Sequence, residues 1–170
     1  IDRSRGLGDV YKRQRKYNKN TTDISSTINT ETYQPVNKYE SVNTLTIGWS
    51  GSHSTSKYVY LLKEVLLEVY KKYNFKLLVI GDSSFHIDGL PCEAIQWAED
   101  SEVRDLQRID IGIYPLPNEE WVLGKSGLKA LQYMALGIPT IASAIGANHR
   151  VIEDGVSGTL VDSNESWKKS

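Results

Sequence analysis

The tripeptide Gly124-Lys125-Ser126 has the residue types that surround a phosphate in a P-loop. A P-loop also needs a glycine five residues before the glycine of its Gly-Lys pair, in a turn between a strand and a helix. Glu119 occupies that position. Without the earlier glycine, the tight turn that directs backbone N–H groups at a phosphate is missing, so the sequence argues against a nucleotide triphosphatase.

A second set of phosphate-binding residue types occurs in "GWSGSHSTSK", residues 48–57, between a predicted strand and a predicted helix. Gly51 allows close approach of the backbone, Ser52 offers a hydroxyl, and Lys57 adds positive charge at the helix start. A capped loop without a ligand explains the same residues, since helix starts commonly carry Ser and Thr. The dinucleotide pattern G-x-G-x-x-G is absent and Asp82 is the nearest match to its acidic residue, so a nicotinamide enzyme is less favoured.

Strands and helices alternate along the chain. β-rich apolar runs predict strands at 44–49, 76–82, 92–97, 110–116, 138–143 and 158–162. Apolar residues at helical spacing and helix-end signals predict helices at 56–73, 101–109, 126–137 and 148–155. Together they predict an α/β fold with a doubly wound parallel sheet over residues 44–165. Ligands bind such sheets at the carboxyl ends of the strands, which here are the loops 48–56, 81–85, 96–101 and 115–127.

The composition fits an ordinary globular domain, with 170 residues of which 39% are hydrophobic and 24% charged. The formal net charge of −1 gives no positive field for nucleic acid. Cys92 is the single cysteine, which excludes an internal disulfide. No apolar run approaches the roughly 20 residues of a transmembrane helix. His86 and His149 lack partners at ligand spacing, so we expect no metal site.

The two ends of the chain differ from its centre. The run "SRGLGDVYKRQ" at 4–14 resembles a translated sequencing adapter, so residues 1–14 are predicted to be an artefactual segment. Residues 15–43 are rich in Asn, Thr, Ser, Lys and Tyr, and we interpret them as a linker or a remnant of an N-terminal domain. Residues 166–170 follow a helix start and are interpreted as a truncated end. We therefore expect this chain to be a fragment of a longer protein.

The stretch from 110 to 162 carries many motif residues in a fixed order. They are Pro115, Gly127-Leu128, Met134-Ala135, Gly137, Pro139, Ala142-Ser143, Gly146, Asp154-Gly155, Gly158 and Leu160-Val161. In this order they resemble the C-terminal half of GT-B glycosyltransferases, in particular the retaining family 4, also called group 1. The resemblance covers residues 44–165, and "INTETYQP" at 28–35 is similar to the tail that precedes this domain in the family.

The resemblance implies a Rossmann-like domain that binds a nucleotide-diphosphate sugar as donor substrate, with no separate cofactor. Its diphosphate is expected on the loop after the first strand and on the N-terminus of the helix that begins near Ser126, where free N–H groups and the helix dipole favour negative charge. The expected donor-binding residues are Gly51, Ser52, Lys57, Trp97, Lys125, Ser126, Gly127, Leu128 and Gln132. Trp97 falls where the family turns under the nucleotide base, although a buried core position is the favoured explanation for an aromatic residue there.

The sequence departs from the family at its E-x7-E pair, where one glutamate lies by the donor sugar and the other on the ribose. Aligned on Met134-Ala135, these positions hold Gly124 and Gln132, and we assign no catalytic residue. Gln132 keeps the ability to hydrogen-bond ribose hydroxyls.

The predicted function is the donor-binding half of a retaining, hexosyltransferase-type enzyme of cell-surface polysaccharide synthesis. Its acceptor is a saccharide or a lipid-linked saccharide, bound with the missing N-terminal domain, so this chain alone is expected to be inactive. The expected location is the cytoplasm, or the inner face of the membrane as a peripheral protein. Alternatives are a non-catalytic α/β nucleotide-binding or interaction module, and a nucleotide-sugar epimerase or phosphorylase of the same architecture.

Overall fold

A computed structural model describes residues 14–22, 24–37 and 44–170. The predicted artefactual segment therefore lies outside the described residues except for Gln14, as do positions 38–43 of the predicted linker. Within the described ranges, no helix is long and apolar enough to cross a membrane.

Six parallel strands form a single sheet within residues 44–170. They are β1 (Leu45–Ser50), β2 (Phe75–Ile80), β3 (Cys92–Ile95), β4 (Ile111–Tyr114), β5 (Thr140–Ser143) and β6 (Thr159–Val161). The strand order is β3-β2-β1-β4-β5-β6, and every neighbouring pair runs parallel. This is the order of a doubly wound Rossmann-like sheet, so the predicted fold class is confirmed. The order reverses between β1 and β4, where their crossovers leave towards opposite sides and open a crevice.

Helices and 3₁₀ helices connect the strands. They are α1 (Lys63–Tyr70), α2 (Glu102–Leu106), α3 (Leu128–Ala135), α4 (Asn148–Val151) and α5 (Asn164–Lys169), with 3₁₀ helices at Ser56–Leu62 and Glu120–Gly124. The 3₁₀ helix Glu120–Gly124 lies in what the sequence predicted to be a loop. Each predicted helix is present, but the structure shortens all four.

Two of these differences have clear physical causes. The helix predicted at 56–73 starts as a 3₁₀ helix, because its first turns hold aromatic and β-branched residues that form α-helix poorly, such as Tyr58 and Val59. The helix predicted at 148–155 stops at Val151, because Ile152 turns to extended backbone and is buried in the core at 3% exposure.

Strand β2 lies between two hydrophobic clusters, one on each face of the sheet. Leu77 and Val79 pack on one face with residues of the 3₁₀ helix and α1. Leu78 and Ile80 pack on the other face with Leu106, Tyr133 and their neighbours. Successive side chains of a strand point to opposite faces, so an uninterrupted apolar run fills both clusters. This arrangement explains why residues 77–80 form a continuous apolar run with no polar alternation.

Part of the predicted linker packs against the domain. Tyr33 contacts the cluster that contains Tyr133, and the Gln107 side chain donates a hydrogen bond of 2.8 Å to the carbonyl oxygen of Gln34. Arg150 donates to Ser25 Oγ at 2.9 Å. Residues 24–37 therefore add contacts to the folded unit, and any study of this domain should keep them.

Cys92 lies half-buried on the edge strand β3, and burial, helped by the nearby charge of Glu93, raises the pKa of its thiol to about 11. The thiolate is the reactive form, so at pH 8 we expect iodoacetamide to alkylate it roughly 100-fold more slowly than a thiol of ordinary pKa. The alkylation rate measured against pH tests this. In urea the rate should rise to that of an unhindered thiol, whereas equal rates in folded and unfolded protein would contradict the assignment.

Candidate functional site

A cleft of about 570 Å³ opens at the carboxyl ends of β1, β2, β3 and β4. Its volume is in the range of small-molecule sites. The lining residues from the four loops predicted at strand ends include Gly51 and Ser52, Gly81, Gln96 and Trp97, and Pro115, Leu116 and Lys125. The four loops that the sequence placed at the carboxyl ends of strands therefore line one cleft.

The loop after β1 is packed tightly against the end of β2. The Gly51 N–H donates to Ile80 O at 3.0 Å. Gly81 has φ +109°, and a Cβ built on it would lie 1.8 Å from Gly51 O. Only glycine combines this backbone conformation with so close an approach. The two glycines thus bring the Gly51–Ser52 backbone to the edge of the cleft.

Asp82 holds the same loop through hydrogen bonds. Its carboxylate accepts from Ser56 Oγ at 2.6 Å, and from the hydroxyl and the N–H of Ser84 at 2.6 and 3.1 Å. The hydrogen bond from Ser56 and those from Ser84 lower the pKa of the Asp82 carboxyl. This carboxylate holds the loop and does not line the cleft. The arrangement gives no support to the dinucleotide-type acid that the sequence left as a distant alternative.

The second phosphate-binding element is the start of α3. Gly127 takes the N-cap position with φ +76°, and no side chain caps the helix. Its first N–H groups are thus left for solvent or a ligand. Lys125 lines the cleft, whereas Ser126 and Leu128 are exposed and Gly127 is buried beside Val151. Of the predicted residues at this helix start, Lys125 is the one whose side chain reaches the cleft.

Lys129 is a site residue that sequence analysis missed. It lies in the first turn of α3 and lines the cleft, and its Nζ donates to Ser50 Oγ at 3.3 Å. Burial lowers the pKa of its ammonium, while the charge of Glu102 acts in the opposite direction. The signal in the sequence was a second lysine close to Lys125 at the start of the helix predicted at 126–137, which places two cations near one helix start.

Lys57 and Gln132 lie outside the cleft lining. Lys57 is exposed, with its Nζ 5.7 Å from the centre of the Tyr58 ring. Gln132 is buried at 3% exposure and donates through Nε2 to Tyr33 Oη at 2.9 Å and to Glu102 Oε1 at 3.2 Å. Its Oε1 has no hydrogen-bond partner among the described residues.

Glu102, from α2, is the second site residue that the sequence did not reveal. Glu102 lines the cleft, and its carboxylate accepts from Tyr33 Oη at 2.6 Å and from Trp97 Nε1 at 2.9 Å, in addition to Gln132. Burial raises the pKa of this carboxyl, but the hydrogen bonds from Tyr33, Trp97 and Gln132 outweigh it and lower the pKa overall. The group is therefore ionised at neutral pH.

Trp97 is 41% exposed at the cleft, so its ring is available to a ligand and does not fill the core. Trp121 lies in the 3₁₀ helix Glu120–Gly124 and is 51% exposed. Lys125 Nζ lies 5.0 Å from the centre of its ring. Within the described residues, no group of three His, Cys, Asp or Glu side chains is arranged to hold a metal ion.

Tyr33→Phe is expected to lower the free energy of unfolding by about 1 kcal/mol, because it removes a hydroxyl that bonds both Glu102 and Gln132 while keeping the ring in place. Urea denaturation of the full chain measures the change. Tyr17→Phe is the matched control, since Tyr17 is 85% exposed and should lose little stability. Equal stabilities for wild type and Tyr33→Phe would show that the hydroxyl network contributes nothing.

A cleft at the switch point of a doubly wound sheet, with a glycine loop, an open helix start and two lysines, is typical of a nucleotide-binding domain. The profile of the family described as "Glycosyl transferases group 1" matches residues 44–169. The chain belongs to this glycosyltransferase family.

A curated relative and two solved structures illustrate the similarity. The D-inositol 3-phosphate glycosyltransferase of Geodermatophilus obscurus is 38% identical over 56 residues, which are 33% of this chain and 11% of the relative. The C-terminal domain of a group 1 glycosyl transferase (LpcC) from Francisella tularensis has a TM-score of 0.60 at 20% identity, covering 84% of this chain and 85% of that one. Anabaena Alr3699/HepE, solved in complex with UDP-glucose, has a TM-score of 0.51 at 15% identity, covering 75% and 37%.

Proposed function

We propose that this chain is the donor-binding domain of a glycosyltransferase and that its cleft binds the nucleoside diphosphate part of a nucleotide sugar. The observation that carries the proposal is the convergence of Lys125, Lys129 and the glycine loop at Gly51 on one cleft at the switch point of the sheet. Backbone N–H groups and lysines together suit a diphosphate. The UDP-glucose complex of the Anabaena structure supports the same class of ligand.

Such a site also suits the transfer step. As the bond between the sugar and the diphosphate breaks, the leaving diphosphate gains negative charge. Lys129, partly buried beside Ser50, and the open start of α3 stabilise that charge without rearrangement, because they are already held in place. In this proposal these groups take the part that a metal ion plays in other transferases.

The remaining features are proposed by analogy with the family. The sugar is a hexose transferred with retention at its anomeric carbon, and the acceptor is a saccharide or lipid-linked saccharide used in cell-surface polysaccharide synthesis. In the two-domain architecture, an N-terminal domain supplies the acceptor site. We therefore expect this chain by itself to bind the donor and to transfer nothing.

Calorimetric titration of the full 170-residue chain with UDP, GDP, ADP and dTDP tests the proposal. We expect one of them to bind with a dissociation constant between about 1 μM and 1 mM, and inorganic pyrophosphate to compete with it. The corresponding nucleoside, which lacks both phosphates, should bind at least about tenfold more weakly. A chain that is folded by circular dichroism and binds none of the four would refute a donor site.

A non-catalytic nucleotide-binding module is the second candidate, favoured by one observation. The positions of the two family glutamates hold Gly124 and a buried Gln132. The test uses the chain joined to its acceptor domain. Binding of the nucleotide sugar without release of free nucleoside diphosphate would identify such a module. Release of the nucleotide only when acceptor is present would instead identify a transferase.

A further inference from the structure

Glu102 lines the cleft, and its carboxylate has an unused hydrogen-bond acceptor position. A carboxylate has about four lone-pair positions. Oε1 accepts from Trp97 and Gln132, and Oε2 accepts from Tyr33. Among the described residues, no fourth donor bonds to this carboxylate. One position on Oε2 is therefore open on a side chain that lines the cleft.

The three donors fix the carboxylate in one orientation and keep it charged. Tyr33 comes from the segment before β1, Trp97 from the loop after β3, and Gln132 from the middle of α3. Fixing one side chain from three separate parts of the chain is typical of a preorganised binding group. Glu102 is only partly buried and lines the cleft, so packing alone does not account for an ionised side chain held in this way.

The chemistry of this oxygen selects a hydroxyl donor. An ionised carboxylate repels phosphate oxygens, and it accepts strong hydrogen bonds from neutral O–H groups. The Glu102 carboxylate accepts a hydrogen bond from Trp97, whose exposed ring offers a surface for a base. The same carboxylate interacts electrostatically with Lys129, whose charge suits a phosphate. The part of a nucleotide that links a base to a phosphate is its ribose, which carries hydroxyls.

Gln132 is not available for the same task. Its side chain is buried outside the cleft lining, and its amide nitrogen donates to Tyr33 and Glu102. Its Oε1 has no partner among the described residues, but this oxygen is itself fully buried and is not open to the cleft. Gln132 hydrogen-bonds Glu102 from the side chain's buried position, so it acts on the ligand only through Glu102. Gln132 and Tyr33 are thus positioning residues.

We propose that Glu102 binds a ribose hydroxyl of the donor nucleotide and that this role has moved from α3 to α2 in this chain. The inference rests on the proposed function, because it needs a nucleotide in the cleft. It reassigns the sequence expectation that Gln132 contacts the ribose directly.

Calorimetry of the full chain with each of UDP, GDP and ADP and with their 2′-deoxy and 3′-deoxy forms tests the inference, and dTDP is compared with its 3′-deoxy form. For the base that binds, removal of at least one hydroxyl should weaken binding by roughly 10- to 100-fold. Deoxy forms that all bind as tightly as the parent nucleotide would overturn the role of Glu102 and leave the donor site standing. If no parent nucleotide binds, the proposed function fails and this inference fails with it.

The variant Glu102→Gln tests whether this side chain causes the difference in affinity between the parent nucleotide and its deoxy form. It keeps the shape but replaces a charged acceptor with an amide, so it should bind the parent nucleotide and the deoxy form with nearly equal affinity. Glu99→Gln is the matched control, an identical change on an exposed residue of the neighbouring loop, and it should keep the wild-type ratio. A folded Glu102→Gln that discriminates like wild type would overturn the inference. If Glu102→Gln does not fold, the wild-type comparison of parent and deoxy forms decides.

Discussion

Gly81→Ala is expected to lower the free energy of unfolding by roughly 2–5 kcal/mol and to abolish nucleotide binding. The new methyl group would lie 1.8 Å from Gly51 O, and the backbone at Gly81 has φ +109°, which an alanine adopts only with strain. Because the contact is with backbone, no side chain can rotate away to relieve it. The loop at Gly51 must move, and with it one wall of the cleft.

Gly155→Ala separates the effect of the steric contact with Gly51 O from the effect of backbone strain. Gly155 also has a positive φ, +75°, but a Cβ there meets no atom within 4 Å. That variant should lose only about 1 kcal/mol and keep full nucleotide affinity. Urea denaturation and calorimetry on both variants make the comparison. Similar losses of stability for the two would mean that the contact between Gly81 and Gly51 does not constrain the loop.

Lys129→Met is expected to weaken binding of the cognate nucleoside diphosphate by roughly 10- to 100-fold while affecting the parent nucleoside little. Methionine keeps most of the apolar stem of the side chain and removes the charge next to Ser50. The difference between the two ligands therefore reports on the phosphates alone. Calorimetric titration with both ligands measures it.

Lys72→Met is the control for this change, since Lys72 is exposed in the turn between α1 and β2, at the edge of the sheet opposite to the cleft. It should leave both affinities unchanged. If Lys129→Met weakens the nucleoside as much as the diphosphate, the lysine shapes the cleft and does not contact phosphate. If it weakens neither, the diphosphate lies elsewhere.

The arrangement of strands followed from local patterns. Each strand is a short apolar run, and helices separate all neighbouring strands in the chain except β2 and β3. Short crossovers between parallel strands leave few possible topologies. The loops 48–56, 81–85, 96–101 and 115–127 therefore had to meet at one edge, as they do in the cleft. Helix ends were less well predicted. Ile152 leaves the helix and is buried by packing that no local pattern records, and the poor helix formers at the start of the first helix had less weight in the prediction than its apolar spacing.

The site residues that local motifs revealed also differ from those that depend on contacts with distant parts of the chain. Lys125 and Gly51 were found from local motifs, because a glycine loop and a helix start keep their character in any doubly wound sheet. Glu102 was missed because its helix has only five residues, and because its partner Tyr33 is 69 positions away. Contacts over such separations depend on how the segment before β1 packs against the sheet.

The amino-acid sequence by itself determined the fold class, the family and the edge of the sheet that carries the site, because all three depend on spacing within short segments. Only the tertiary structure decided which side chains enter the cleft. It turned Lys129 and Glu102 towards it and buried Gln132 behind Glu102. The physical reason is that the direction of a side chain depends on what packs against its element, and here those neighbours come from distant parts of the chain.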